Sequence, residues 1–426
     1  MMHEAYGAKA EVLDPGPARG AAETRQQPWP PIGRLFSDRG LDGILDAFPD
    51  LAITPSPLPF GISEVSDGDR IVPVTEEAVD ATPFASLLHF KKETDAAQPR
   101  VLIIAPMSGH FATLLRATVK TMLSHHDVYI TDWRNIRDVP LAAGEFGLDA
   151  FIDHVIQFLR VMGRGSHVVA VWQSCVAALA AASIMAEDGD PAQPLSMTLM
   201  AGPIDTRINP TKVNELTQTK RTEWCERNLI ADVPASFQGA RRKVYPGFLQ
   251  LAAFVSMNPE RHMQAFRDMA QAHADNNMTK FQFIKSFYEE YFAVMDLPAE
   301  FYLQTVRAVF QDHLLPLGKL EAHGRPVKPG AIKRTALLTV EGERDEICGL
   351  GQTLAAQDLC TGLRQNMKAH HVQTGVGHFG LFCGRRWTQE IYPKLRDFIE
   401  MSSGIVKPGR RSARSVTAAA AASGAA

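Results

Sequence analysis

Cysteine is scarce in this sequence and is never closely paired. Five cysteines are spread over 426 residues, and none forms a Cys-x-x-Cys pair with another. Disulfide frameworks and zinc sites both require closely spaced cysteines, so we expect neither of them, and we predict free thiols in a reducing compartment. The cysteines are Cys175, Cys225, Cys348, Cys360 and Cys383.

An excess of one charge and a long apolar run are also missing. Lys and Arg number 44 against 47 Asp and Glu, so the formal net charge is -3. Because nucleic acids and anionic membranes select basic surfaces, we predict no nucleic-acid partner. No stretch reaches the roughly 18 apolar residues of a transmembrane helix, and the N-terminal residues lack the apolar core of a secretory signal. We therefore predict a cytoplasmic protein without a transmembrane segment.

The two ends of the chain lack hydrophobic periodicity. Residues 1–35 are rich in Pro, Gly, Ala and Gln, a composition that is typical of a flexible leader. Residues 401–426 contain a short basic cluster and then an alanine-rich stretch with no apolar face, so we predict a disordered tail. The sequence between these ends must supply the folded core.

Strand and helix patterns alternate through most of that sequence. The predicted strands include RVLIIA, DVYITDW, SHVVAVW, PLSMTLM, TALLTV and KAHHVQ, and helical patterns follow most of them. These strands are continuous apolar runs, as expected of a parallel sheet covered on both faces. Between residues 207 and 330 only helical patterns are found. We therefore predict a helical cap at 207–330, inserted into an α/β core made of residues 36–206 and 331–400.

One strand-to-helix turn has the spacing of a nucleophile elbow. An α/β-hydrolase places its nucleophile on such a turn, with small residues two positions before and after it because the strained backbone leaves no room for bulk. Ala170 and Ser174 supply the small residues, and the residue between them is Trp172. An indole has no nucleophilic atom for acyl transfer. The position that the spacing selects therefore holds a side chain that cannot attack an ester.

An acid and a base follow the elbow in the expected chain order. Asp345 comes after the strand TALLTV, and His378 comes after the next strand within a glycine-rich turn. In such sites the acid orients the imidazole and fixes its tautomer. Oxyanion donors are expected from the backbone N–H of Gln173 and from the loop at Met107 and Ser108. Asp205, which also follows a strand, is an alternative acid.

Several blocks closely resemble the intracellular poly(3-hydroxybutyrate) depolymerases of bacteria. The blocks are APMSGHFATLLRATVKTML, VYITDW, AGPIDTRINPT, VYPGFLQ, TVEGERDEICGLGQT and GHFGLFCGRRW. The resemblance runs in unbroken order from about residue 60 to 400. It implies an α/β-hydrolase fold with a helical cap that hydrolyses ester bonds of the storage polyester on intracellular granules, with no metal and no cofactor.

The resemblance also implies roles for three positions. The family's nucleophile is a cysteine in a Val-Cys-Gln-Pro elbow, supported by an aspartate and a histidine. The aspartate falls on Asp345 and the histidine on His378, whereas the cysteine falls on Trp172. The implied acid and base are therefore present, and the implied nucleophile is replaced.

Cys175 is the nearest alternative nucleophile. Three residues along a helix correspond to a rotation of about 300° and a rise of about 4.5 Å, so Cys175 is predicted on nearly the same face as residue 172 but one turn deeper. The helix start is expected to lower the pKa of its thiol. A displacement of several ångströms nevertheless exceeds what catalysis tolerates. Ser174 is a weaker candidate, and Cys348 and Cys383 are expected to be packing residues.

Two functions remain open from the sequence. The first is hydrolysis of poly(3-hydroxybutyrate) by a nucleophile–His–Asp mechanism, and the second is a catalytically silent relative that binds the polyester or the granule surface. The basic cluster at 241–243 is expected on a solvated face. The cap aromatics are expected to pack in a core; they are Tyr245, Phe248, Tyr288, Tyr291 and Phe292.

Overall fold

A single nine-stranded sheet organises the protein. The computed structural model describes residues 53–94, 96–257 and 259–404, so the predicted leader and residues 405–426 of the predicted tail lie outside the described residues. The strand order is β1-β2-β3-β5-β4-β6-β7-β13-β14. The strands are β1 (Glu64–Asp67), β2 (Arg70–Ala81), β3 (Ala85–Lys92), β4 (Arg100–Ile104), β5 (Asp127–Trp133), β6 (Ser166–Val171), β7 (Ser196–Met200), β13 (Ala336–Gly342) and β14 (Lys368–Gln373).

The sheet is parallel from β5 through β4, β6, β7 and β13 to β14, and antiparallel from β1 to β5. Every residue of β6, β7 and β13 is buried, as the continuous apolar runs predict. The order of the parallel strands is that of an α/β-hydrolase, so the predicted fold class is confirmed. Strand β2 lies near the sheet edge, and only Val72 and Val74 are buried in it. It therefore contains no continuous apolar run that would predict a strand.

Twelve α-helices are present in the described residues, and three of them continue from or into π-helical turns. The π-helical turns are Val306–Gln311 and Trp387–Ile391. The α-helices are α1 (Arg116–Leu123), α2 (Leu148–Met162), α3 (Ser174–Glu187), α4 (Lys212–Thr219), α5 (Thr222–Leu229), α6 (Gly247–Met257), α7 (Pro259–Ala274), α8 (Met278–Phe292), α9 (Ala299–Thr305), α10 (Ala355–Leu359), α11 (Gly384–Arg386) and α12 (Tyr392–Ser402). No helix in the described ranges is both long and apolar enough to cross a membrane.

The segment between β7 and β13 is mostly helical, but the expectation that it lacks strands is wrong. It contains five strands of two or three residues, which are too short to leave a periodic sequence signal. Helices α6, α7 and α8 share a hydrophobic cluster separate from the main core, which includes Leu251, Phe266 and Tyr288. The strands are β8 (Ala231–Asp232), β9 (Lys243–Tyr245), β10 (Leu297–Pro298), β11 (Glu321–Ala322) and β12 (Arg325–Pro326).

Arg242 corrects the expectation of a solvated basic cluster. Its side chain is buried, and its guanidinium donates hydrogen bonds to the carbonyls of Val139 and Gly144 at 2.7 Å each and to that of Pro140. These carbonyls come from a turn about a hundred residues earlier, and guanidinium supplies enough donors to satisfy several of them at once. The local sequence around Arg242 gives no sign of that turn.

Candidate functional site

The turn between β6 and α3 has the strained backbone of a nucleophile elbow. Trp172 follows the last residue of β6 and has a φ of 60°, a left-handed conformation that is unfavourable for a bulky side chain. Its amide donates to the carbonyl of Met200 at 3.0 Å. The Ser174 hydroxyl accepts a hydrogen bond from the Val171 amide at 2.9 Å and lies 2.9 Å from the Ile104 carbonyl. These contacts stabilise the turn.

Asp345 and His378 meet at the carboxyl ends of neighbouring parallel strands. Because Gly342 of β13 pairs with Gln373 of β14, the loops that follow these strands lie side by side. His378 Nδ1 lies 2.7 Å from Asp345 Oδ2 and 2.9 Å from Oδ1. The Asp345 side chain is fully buried, and only 3% of the His378 side chain is exposed. The geometry is that of an acid that orients an imidazole.

Asp345 also holds its own loop together. Its Oδ1 accepts hydrogen bonds from the amides of Ile347 at 2.9 Å and Cys348 at 2.8 Å. An aspartate commonly stabilises a turn in this way, whether or not the site is catalytic. The buried carboxylate therefore has structural partners in addition to His378.

An indole covers the imidazole. The rings of Trp172 and His378 stack with centroids 4.9 Å apart and an interplanar angle of 26°. Phe379 and Phe382 pack edge-on against the indole, with centroids at 5.4 and 5.5 Å. Trp172 is 7% exposed, and its Nε1 is buried without a hydrogen-bond partner. Trp172 thus fills the space between the elbow and His378 with apolar surface.

Cys175 lies beneath the elbow and not at its tip. Its Sγ is 3.4 Å from the Ala170 carbonyl and 3.6 Å from that of Met200, and the residue is completely buried. Gly202 packs so closely that a Cβ there would lie 2.5 Å from the sulfur. Burial raises the pKa of the Cys175 thiol, so the prediction that the helix start lowers it is wrong. Removal of the thiolate from water outweighs the helix dipole.

The other candidate groups have different neighbours. Cys348 is buried with Sγ 3.7 Å from Thr353 Oγ1, and burial raises the pKa of its thiol. The Asp205 carboxylate pairs with the Arg207 guanidinium at 2.7 Å. Cys383 is partly exposed, with Sγ 3.4 Å from the Phe379 carbonyl. No thiol or hydroxyl of the described residues forms a hydrogen bond with His378.

The elements expected to supply oxyanion donors are in contact. Gln173 Nε2 donates to the Met107 carbonyl at 2.9 Å, which ties the start of α3 to the loop after β4. The first N–H groups of a helix have no acceptor within the helix, and an oxyanion role for the Gln173 N–H stays a prediction. The Ser108 hydroxyl, on the same loop, is buried without a hydrogen-bond partner.

Two residues near this loop are missed by sequence reasoning. A Cβ at Gly109 would lie 2.4 Å from Gln250 Oε1. The side-chain amide of Gln250, on α6, therefore packs directly on the loop after β4. His110 lies 5.0 Å from the Tyr291 ring, centroid to centroid, and its Nε2 is 3.1 Å from the Tyr291 carbonyl. Burial lowers the pKa of His110 to about 4. Gln250 carries no recognisable motif, whereas His110 is visible next to the Ser-Gly pair.

A cavity of about 320 Å³ opens beside this cluster. Its lining comes from α7 and α8 with Phe254 of α6, from Glu346 and Ile347 of the Asp345 loop, and from the segment 379–384. Phe379 lines the cavity and also packs on Trp172 and His378. Within the described ranges, no group of three or more His, Cys, Asp or Glu side chains is arranged to hold a metal ion.

Comparison with known proteins gives a family match over part of the chain. Residues 201–403 match the family model described as "PHB de-polymerase C-terminus". No curated protein matches the chain. This match confirms the resemblance to poly(3-hydroxybutyrate) depolymerases over the region that contains both Asp345 and His378.

Solved structures with low sequence identity are also similar to the chain. One is the 2-hydroxy-6-oxo-6-phenylhexa-2,4-dienoate hydrolase of Rhodococcus sp. strain RHA1, with 14% identity, a TM-score of 0.41, and coverage of 77% of this chain and 99% of that one. Another is a putative aryl esterase from Burkholderia cenocepacia, with 12% identity, a TM-score of 0.43, and coverage of 78% and 100%. The fold class follows from the sheet order, and the family match covers residues 201–403. The chain is an α/β-hydrolase-fold protein whose residues 201–403 match the PHB depolymerase C-terminal family model.

Proposed function

We propose that this protein binds poly(3-hydroxybutyrate), as chain or granule surface, and does not hydrolyse it through a covalent intermediate. One observation carries the proposal: the indole of Trp172, at the strained turn between β6 and α3, stacks on His378 with ring centroids 4.9 Å apart. The PHB depolymerase domain supports the choice of polyester as the ligand.

The chemistry of an acyl-enzyme mechanism explains why the indole matters. The base must accept a proton from the attacking thiol or hydroxyl and later return it to the leaving alcohol, so both groups must lie within hydrogen-bond reach. An indole offers only an N–H donor and no nucleophilic lone pair. The candidate base therefore has a correctly placed acid partner, Asp345, but no group to activate.

Hydrolysis by a nucleophile–His–Asp mechanism is the second candidate, and the Asp345–His378 hydrogen bond favours it. It would release 3-hydroxybutyrate oligomers or monomers. It requires Cys175, or another hydroxyl or thiol, to reach His378. For Cys175 that means exposing a fully buried sulfur and displacing the indole. This cost makes hydrolysis the less favoured function.

The decisive variant is Trp172→Cys. We expect the wild type to leave amorphous poly(3-hydroxybutyrate) and short hydroxybutyrate oligomers intact. In the variant, a thiolate beside His378 can attack the ester carbonyl, His378 protonates the leaving alcohol, and water cleaves the thioester. The release of 3-hydroxybutyrate units should rise on the order of 10²-fold or more.

Two controls separate a gained nucleophile from a loosened site. Trp172→Ala removes the indole without adding a thiol and should remain inactive, as should Trp172→Cys combined with His378→Ala. Wild-type hydrolysis that is abolished by Cys175→Ala would contradict the proposal and support the second candidate. Co-sedimentation with amorphous granules tests binding separately, and we expect the wild type and Trp172→Cys to bind equally.

A further inference from the structure

We propose that the cavity between α7, α8 and residues 379–384 binds an uncharged segment of an oligoester chain, at a place separate from Asp345 and His378. The proposal rests on the proposed polyester-binding function and adds the location and the charge selectivity of the site. A volume of about 320 Å³ is at the lower end of the range for small-molecule pockets.

Neither Asp345 nor His378 lines the cavity, although their sequence neighbours Glu346 and Phe379 do. Phe379 packs edge-on against Trp172 at 5.4 Å and against His378 at 5.8 Å. It also packs against Phe287 at 5.8 Å and Tyr291 at 5.6 Å, and these two residues line the cavity. A ligand in the cavity therefore contacts Phe379 and does not have to displace Trp172.

The lining carries no net charge near neutral pH. Its charged groups, Arg261 and Glu346, form an ion pair of 2.6 Å. Burial lowers the pKa of His262 to about 4, so this imidazole is neutral, and its Nδ1 lies 2.9 Å from the Tyr288 hydroxyl. A free carboxylate or a phosphate would have to compete with Glu346 for Arg261. An ester chain has no charge to neutralise, and its carbonyls can accept hydrogen bonds from the few polar groups present.

The cavity mouth extends this apolar surface outward. Phe283, which lines the cavity, is 63% exposed. Exposed apolar surface that continues into a pocket is typical of a binding site for an apolar partner. A polyester segment that leaves the cavity would therefore meet the exposed ring of Phe283.

Cys383 provides a direct measurement of cavity occupancy. It lines the cavity and is partly exposed, whereas the other four cysteines are at most 4% exposed. We would follow alkylation of Cys383 in the full-length chain by mass spectrometry, at mildly alkaline pH because burial raises the pKa of this thiol. The probe is the methyl ester of a 3-hydroxybutyrate trimer, and its counterpart is the same trimer as the free acid. We expect the methyl ester to slow alkylation by about tenfold at saturation and the anion to require a much higher concentration.

Matched variants on α7 locate the effect. Ala265→Trp places an indole in the cavity, whereas Ala270→Trp places the same side chain on an exposed position of the same helix. Protection of Cys383 by the methyl ester, and granule co-sedimentation, should be lost in Ala265→Trp and kept in Ala270→Trp. Equal thermal unfolding of the two variants verifies that both are folded.

The outcomes of the two proposals are distinguishable. Granule binding without protection of Cys383, or equal protection by ester and free acid, overturns the cavity proposal and leaves the polyester-binding function intact. Protection by the ester in a protein that does not bind granules supports the cavity and contradicts granule binding. Protection that persists in Ala265→Trp overturns the location.

Discussion

The two halves of the candidate site differ in what holds them. Asp345 is bonded both to His378 and to two amides of its own loop, so its place in the structure does not depend on catalysis. Trp172 has a strained φ of 60° and a buried Nε1 without a hydrogen-bond partner; its backbone amide bonds to Met200, and its indole is held by ring packing. Hydrogen bonds within the fold therefore fix the Asp345 side chain, whereas packing fixes the Trp172 side chain.

The largest effect on stability is expected at Asp345. Asp345→Ala leaves the His378 imidazole and the amides of Ile347 and Cys348 without their acceptor inside the protein, so we expect a loss of about 3–5 kcal/mol in the free energy of unfolding. Asp345→Asn retains an acceptor oxygen for the amides and should lose less than half as much. Chemical denaturation measures both. Equal losses in the two variants would show that the amides contribute nothing and would remove the contrast with Trp172.

The free energy of unfolding should depend on pH through His110, on the loop beside the elbow. Burial lowers the pKa of the His110 imidazole in the folded protein from the ordinary 6.5 to about 4. The unfolded chain therefore binds the proton first as pH falls, so stability is full above about pH 6.5, declines toward pH 4 and then levels off. In His110→Phe we expect this decline to be smaller by about 3 kcal/mol.

The measurement for His110 is the free energy of unfolding at a series of pH values. His262→Phe is a suitable comparison, because the pKa of His262 is also lowered to about 4 by burial, but in the cap. An unchanged decline in His110→Phe would mean that His110 titrates normally in the folded protein.

Backbone strain at the elbow should have a smaller effect. Trp172→Gly and Trp172→Ala both remove the indole, but only glycine adopts a φ of 60° without strain. We expect the glycine variant to be more stable than the alanine variant by about 1 kcal/mol, measured by denaturant unfolding. A more stable alanine variant would show that the turn relaxes once the indole is gone, and the elbow would then be imposed by the side chain.

The smallest effect is expected for the ion pair between the cap and the acid loop. Arg261 and Glu346 lie 2.6 Å apart, but their side chains are 48% and 32% exposed. A double-mutant cycle with Arg261→Ala and Glu346→Gln should give a coupling energy of about 0.5 kcal/mol, because solvent screens the pair. A coupling several times larger would mean that the cap stabilises the Asp345 loop and that the two halves of the site are not independent.

The sequence predicts much of the parallel sheet and less of its surroundings. Strands such as β4, β6 and β13 are found because burial on both faces makes them continuous apolar runs. Strand β2 is missed because its polar residues face solvent. The position of Arg242 cannot be predicted locally, since its acceptors come from a turn near residue 140.

The candidate site divides in the same way. The positions of Trp172, Asp345 and His378 can be recognised from local patterns, because each residue follows the end of a predicted strand. The direction of the Cys175 sulfur does not, since it depends on carbonyls of β6 and β7 and on the close approach of Gly202. Helix geometry alone predicts the face of the helix and not the burial that raises the pKa of the thiol.

The sequence by itself determined the fold class, the scarcity of suitable thiols and the presence of a tryptophan at the turn after β6. Only the tertiary structure decided what that tryptophan contacts: it stacks on His378 and packs against Phe379 and Phe382. The physical reason is that residue identity is local, whereas the partner of a side chain depends on segments that meet only after folding. The contact between Trp172 and His378 joins residues from opposite halves of the chain.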